Sequence, residues 1–166
     1  MEENNIYAAP QAEVLDEANI NYNLASRGQR FVGSFVDGLV IGSITIPLMY
    51  FTGGIDGIRE GQQPSLVYTA VMTLIGFVLF LGINYKFLKN DGQTIGKKVA
   101  KTKIITNEGE PASFGGHIIK RYALYNFLGM IPVAGQILSM INILIIFGSA
   151  KRCGHDYFAG TKVVAV

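Results

Sequence analysis

The sequence predicts an all-α membrane protein, a small polytopic bundle of three to four membrane helices with a short cytoplasmic β-hairpin-like element. Three observations predict it. Only 16% of the 166 residues are charged and mean hydropathy is +0.32, whereas a soluble domain carries about 25% charge to cover its surface. Three apolar blocks, at about 31–51, 66–88 and 122–147, each reach the roughly 20 residues needed to cross a ~30 Å hydrocarbon core at 1.5 Å per residue. Two β-branched segments, 99–106 (VAKTKIIT) and 161–166 (TKVVAV), read as strands.

Residues 1–23 are polar and acidic, with Glu2, Glu3, Glu13, Asp16 and Glu17. A secretory signal starts basic and turns apolar at once, so this segment reads as a mobile acidic tail. Targeting then falls to the first span of a membrane domain covering 24–166. The blocks are apolar on most faces, where helices of a soluble bundle would show a polar stripe.

The loop at 52–64 is turn-rich, with Gly53, Gly54, Gly57, Gly61 and Pro64. The loop at 89–121 is basic, carrying Lys89, Lys97, Lys98, Lys101, Lys103, Lys120 and Arg121. Arg27 and Arg30 precede the first block. Lys and Arg gather on the cytoplasmic side, so the N-terminus and the basic loop are expected there. The third block contains Gly129, Pro132 and Gly135 and is followed by Lys151 and Arg152. A single crossing would put those charges outside. A broken helix forming a hairpin keeps them inside and lets the two strands share one side of the membrane. The first half of that hairpin could begin near Ser113 as N-cap. Residues 107–110 form the turn after the first strand.

The segment ASRGQRFVGSFVDGLVIG carries Arg30 at the start of the first span and Asp37 inside it. The middle segment runs Asp91-Gly92-Gln93-Thr94-Ile95-Gly96-Lys97-Lys98, and the closing one His155-Asp156-Tyr157-Phe158-Ala159-Gly160-Thr161. In this order and spacing, over roughly 24–164, the chain resembles the RDD family of bacterial membrane proteins, named for an arginine and two aspartates. Arg30, Asp37 and Asp156 match them. Where the family often has Gly-Lys-Arg, this chain has Gly96-Lys97-Lys98, without the arginine fork. The resemblance implies a multi-pass protein of the bacterial inner membrane with a role in transport.

An intramembrane aspartate costs at least ~2.5–3.5 kcal/mol on insertion scales, so Asp37 must be paired, protonated or open to water. Arg30 lies seven residues away, about two turns, and helical side chains lean toward the N-terminus, so a direct pair is awkward. Lys97, Lys98, Arg121 and Arg152 are the expected partners of Asp37, and Arg30 is left to meet Asp156. Two roles are open for the three signature residues: an ion or proton site in a pathway, or a structural charge cluster. Gln93, Thr94, Lys97, Lys98 and His155 support them. Thr69, Thr73, Asn84, Asn126, Gln136, Ser139 and Asn142 read as interhelical glue. Ser34, Gly38 and Gly42 form a small-residue stripe suited to contact with the second span.

The single cysteine, Cys153, excludes a disulfide framework within the chain. Cys153, His155 and Asp156 are not expected to converge on one point, so neither enzyme activity nor a metal or other cofactor is expected. Gly92 to Lys98 lacks Walker spacing and reads as a tight turn that sets lysines against anionic headgroups. The partners expected are the bilayer, anionic lipid at the basic loop, and a second copy or another membrane protein, since four short helices enclose little volume. No nucleic acid partner is expected.

Overall fold

The computed structural model describes residues 22–131 and 134–166. The tail expected over 1–23 lies almost wholly outside the described residues, as does Pro132.

The first apolar block forms α1 (Arg27–Phe51), 25 residues long. Ser26 starts it with a capping box: its hydroxyl accepts from the Gln29 N–H at 3.1 Å, and the Gln29 side chain accepts from the Ser26 N–H at 2.9 Å. The second block forms α3 (Leu66–Asp91), 26 residues, capped by Ser65 and ended by Gly92 in the left-handed region at φ 64°. Between them lies α2 (Gly54–Arg59). At 1.5 Å per residue α1 and α3 are each about 38 Å long, enough to cross a bilayer. Burial separates this reading from that of core helices in a soluble protein. In the most apolar window of α1 only 6% of residues are buried, and in that of α3 none. Phe31, Phe35, Leu39, Val67, Leu74 and Val78 all face outward, and lipid is the solvent that such faces suit.

After α3 comes a short helix, α4 (Ile95–Val99), with Thr94 as its N-cap. The strand expected over 99–106 therefore starts late. Val99 closes α4, Lys101 turns the chain at φ 51°, and β1 is Thr102–Thr106. It pairs antiparallel with β2 (Thr161–Ala165), in register from Thr102↔Ala165 to Thr106↔Thr161. The residues leading into α1 join the same end: Ala25 donates to the Val163 carbonyl at 3.0 Å and Ala165 to that of Asn23 at 2.8 Å. The start of the membrane domain, the middle loop and the C-terminus thus meet at one end of the bundle.

The third block is broken. A π-helical turn (Phe114–Ile118) with Ser113 at its N-cap leads into α5 (Ile119–Leu128), followed by α6 (Ala134–Leu144) and a 3-10 turn (Ile145–Phe147). With 10 and 11 residues, α5 and α6 are about 15–17 Å long, too short to span alone. Gly135 allows the tight reversal, because a Cβ there would come 2.5 Å from the Leu128 carbonyl oxygen. Both ends of the pair return to the sheet end: Arg121 near the start of α5 reaches Asp156 and Thr161, and Asn142 near the end of α6 reaches His155. The well-packed core sits there too, around Leu88, Ile104, Ile118 and Val163, each 3% exposed or less. Burying a side chain of that size contributes roughly 1.5–3 kcal/mol, so the sheet end anchors the helices.

Candidate functional site at the sheet end of the bundle

Two carboxylates organise this end, by different means. Asp37 is half-buried. One oxygen accepts the Thr94 hydroxyl at 2.6 Å and the other the Gly96 N–H at 2.8 Å. Thr94 in turn accepts from the Lys97 N–H at 3.1 Å, so Asp37 holds the first turn of α4. The sequence permits it through two glycines. A Cβ on Gly96 would run into the Gly33 carbonyl oxygen and lie 2.8 Å from the Asp37 carboxylate, and one on Gly33 would come 3.3 Å from the Gly96 carbonyl oxygen. Backbone meets backbone where α1 crosses α4. Asn84 fixes the same turn, accepting from the Ile95 N–H at 2.8 Å.

This corrects the expectation that Asp37 meets Lys97, Lys98, Arg121 or Arg152. Among the described residues it makes no ion pair, and its charge is met by a hydroxyl, a backbone N–H and the positive end of α4. A residue spacing carries no sign of such a pairing, since backbone donors are invisible in a list of cations.

Asp156 lies in α7 (Gly154–Phe158) and is fully buried. It receives Arg30 Nη2 at 2.6 Å and the Cys153 N–H at 2.7 Å on one oxygen, and Arg121 Nη1 on the other. Arg30 also donates to the Lys151 carbonyl at 3.0 Å and to Cys153 Sγ at 3.2 Å, and Arg121 donates to the Thr161 hydroxyl at 3.0 Å. Elements α1, α5 and α7 therefore meet on one carboxylate. Arg30 and Asp37 do not pair with each other.

His155 is 7% exposed; its backbone N–H donates to Asn142 Oδ1 at 2.6 Å, and its ring Nδ1 faces Asn142 Nδ2 at 3.2 Å. Burial holds the imidazole well below its usual pKa, and the nearby cations Arg121, Arg30 and Lys97 act in the same direction. Asn142, read from sequence as interhelical glue, joins α6 to α7. Gln93 donates to the Thr102 carbonyl at 2.8 Å. Lys98 pairs with Asp91 at 2.7 Å on a partly exposed surface.

Lys97 departs from expectation. Read from sequence as one of the lysines set against headgroups, it does not lie on an open surface: it is 8% exposed and lines a cleft of about 1080 Å³ between α1, α3 and α5. Arg30, Asp37, Arg121 and His155 line the same end. Ser34 and Gly38 also face the cleft, and a Cβ on Gly38 would meet nothing within 4 Å. The small-residue stripe is therefore not a contact with the second span.

A second correction concerns Cys153, His155 and Asp156, whose ligand atoms do converge, all within 4.8 Å of one another. Their charge environment nonetheless opposes a cation: two guanidinium groups hold the carboxylate and one of them also donates to the thiol sulfur. The donor set does not fit a metal.

Comparison with curated proteins and with solved structures finds no match. A family model does match, over residues 24–160, and it takes in Arg30, Asp37 and Asp156. The chain belongs to the RDD family.

Proposed function

We propose that this chain is a multi-pass protein of the bacterial inner membrane, with its N-terminus in the cytoplasm, that moves an ion or small solute along the cleft between α1 and α3. Asp37 is its proton or cation site. One observation carries the reading. The cleft follows a single face of α1 from Arg27 to Met49, about 33 Å of helix, and Asp37 is an acid on that face. Asp37 also holds α4, the helix that carries Lys97 into the cleft. Protonating or binding a cation at Asp37 would weaken its grip on Gly96 and move Lys97, which links site occupancy to a shape change. The orientation follows from charge: Arg27, Arg30, Lys97, Lys98, Lys151 and Arg152 all gather at the sheet end.

A specific observation favours a second reading. Every carboxylate oxygen of Asp37 and Asp156 already has a partner, as a non-transporting scaffold for another membrane protein would need. Purified protein in liposomes separates the two. If Asp37→Asn folds and accumulates normally but loses proton-coupled flux, transport stands. If the wild type moves no ion down an imposed gradient while Asp37→Asn fails to accumulate, the scaffold reading replaces it.

A further inference from the structure

Lys97 is more than nine-tenths buried, and its ammonium has no carboxylate within ion-pair distance among the described residues. Its nearest described interaction is the Tyr122 ring, 5.8 Å from the nitrogen. A buried ammonium without a counter-charge is costly and calls for an anion. Two further donors at the same end of the cleft are buried without partners, Arg121 Nε and Tyr122 Oη. The local charge leaves an excess: Arg30 and Arg121 share Asp156, Asp37 is held by α4, and Lys97 is unmatched. Away from this end the cleft is lined by Ile41, Met49, Met72 and Gly76, with Thr45, Thr69 and Thr73 among them, a mostly apolar surface suited to hydrocarbon.

We infer that the cleft binds an anionic phospholipid, its phosphate at Lys97, Arg121 Nε and Tyr122 Oη and one acyl chain along the apolar face between α1 and α3. Charge complementarity selects the head, and the apolar length of the cleft selects an amphiphile over a free anion. The inference concerns the same cleft but does not need solute to move through it. Binding is measured without a gradient, so a chain that holds lipid but moves no solute would keep this inference and lose the transport reading.

The test uses the full chain in non-ionic detergent, with native mass spectrometry reading retained ligand. The probes are phosphatidylglycerol, phosphatidylcholine of the same acyl chains, and inorganic phosphate. The wild type is expected to retain phosphatidylglycerol about tenfold better than phosphatidylcholine, and Lys97→Met to lose about that factor. Lys97→Met removes a buried charge at similar volume, so its unfolding midpoint should not fall. Thr73→Trp, which fills the apolar part of the cleft and leaves every cation in place, should also lower retention. Equal retention of the two lipids, undiminished binding by Lys97→Met or Thr73→Trp, displacement of the lipid by inorganic phosphate, or a lipid-free dimer would each overturn the inference.

Discussion

Arg30 and Asp156 stand 126 residues apart in the chain and 2.6 Å apart in space. Their contact closes the two ends of the membrane domain on each other, and Arg121 joins it from α5. A carboxylate with no exposure is tolerable only because two guanidinium groups and a backbone N–H meet it, and the guanidinium groups depend on it equally.

Removing that single negative charge should therefore cost more than an ordinary surface pair. Asp156→Asn leaves two buried arginines facing a neutral amide, and a loss of about 3–5 kcal/mol is expected. Arg30→Lys keeps the charge but cannot reach the Lys151 carbonyl, Cys153 Sγ and Asp156 together as the planar fork does. It should cost less, on the order of 1–2 kcal/mol. Unfolding of both variants in detergent checks the ranking. An Asp156→Asn midpoint equal to wild type would mean that the cluster does not hold the fold.

The crossing of α1 and α4 makes a sharper steric prediction. Gly96→Ala drives a methyl into the Gly33 carbonyl, which is backbone of α1 and cannot swing aside, and against the Asp37 carboxylate. Gly33→Ala meets its nearest atom at 3.3 Å, a gap that a few tenths of an ångström would relieve. Overpacking of this kind costs about 1–3 kcal/mol. Gly96→Ala is expected at or above the top of that range and Gly33→Ala near the bottom. Protein yield and unfolding midpoint give the order, and a reversed order would contradict the packing described.

Much of the fold was legible in the sequence because its signals are local. The lengths of the apolar blocks gave α1 and α3, Ser113 marked the start of the helical stretch that leads into α5, and Gly129 with Gly135 marked the break between α5 and α6. Strand β1 was legible only in part, since β-branching alone could not show that Val99 would close a helix capped by Thr94. The partners of the two aspartates divided along the same line. Arg30 could be assigned to Asp156 by excluding a pair within α1. For Asp37 the supporting Thr94 was legible but its pairing was not, because the carboxylate is met by a hydroxyl and by the Gly96 N–H, a donor that any residue carries, and not by a cation. Arg121 was visible as a cation but not as the second ligand of Asp156, since only the return of α6 brings α5 and α7 together.

The strand pairing fixes a topological prediction. Because β2 pairs with β1 residue for residue and Leu24 bridges to Val164, the N-terminal side of α1, the basic loop and the C-terminus meet at one end of the bundle, and with α1 and α3 crossing a bilayer they are expected on one face of it. A reporter fused after Val166 should behave as cytoplasmic, and one placed in the loop near Gly57 as external. A C-terminal reporter on the external face would be incompatible with this sheet.

His155 gives the chain a defined response to acid. Its imidazole is buried among Arg121, Arg30 and Lys97, with the Asp156 carboxylate 3.9 Å from Nε2, and its folded pKa lies well below the ordinary value near 6.5. Above that value His155 is neutral in both folded and unfolded chains, and its contribution to stability is fully present. Below it the unfolded chain takes up a proton that the folded chain refuses, so stability falls with falling pH until the folded pKa is reached. The slope from this one group is at most about 1.4 kcal/mol per pH unit. Unfolding midpoints in detergent at pH 7.5, 6.5 and 5.5 should drop mainly over the last interval. His155→Gln, which has no imidazole to protonate, should flatten that drop even if it lowers the midpoint at every pH. A wild-type midpoint constant from 6.5 to 5.5 would show that His155 takes its proton as readily in the folded protein as in the unfolded one.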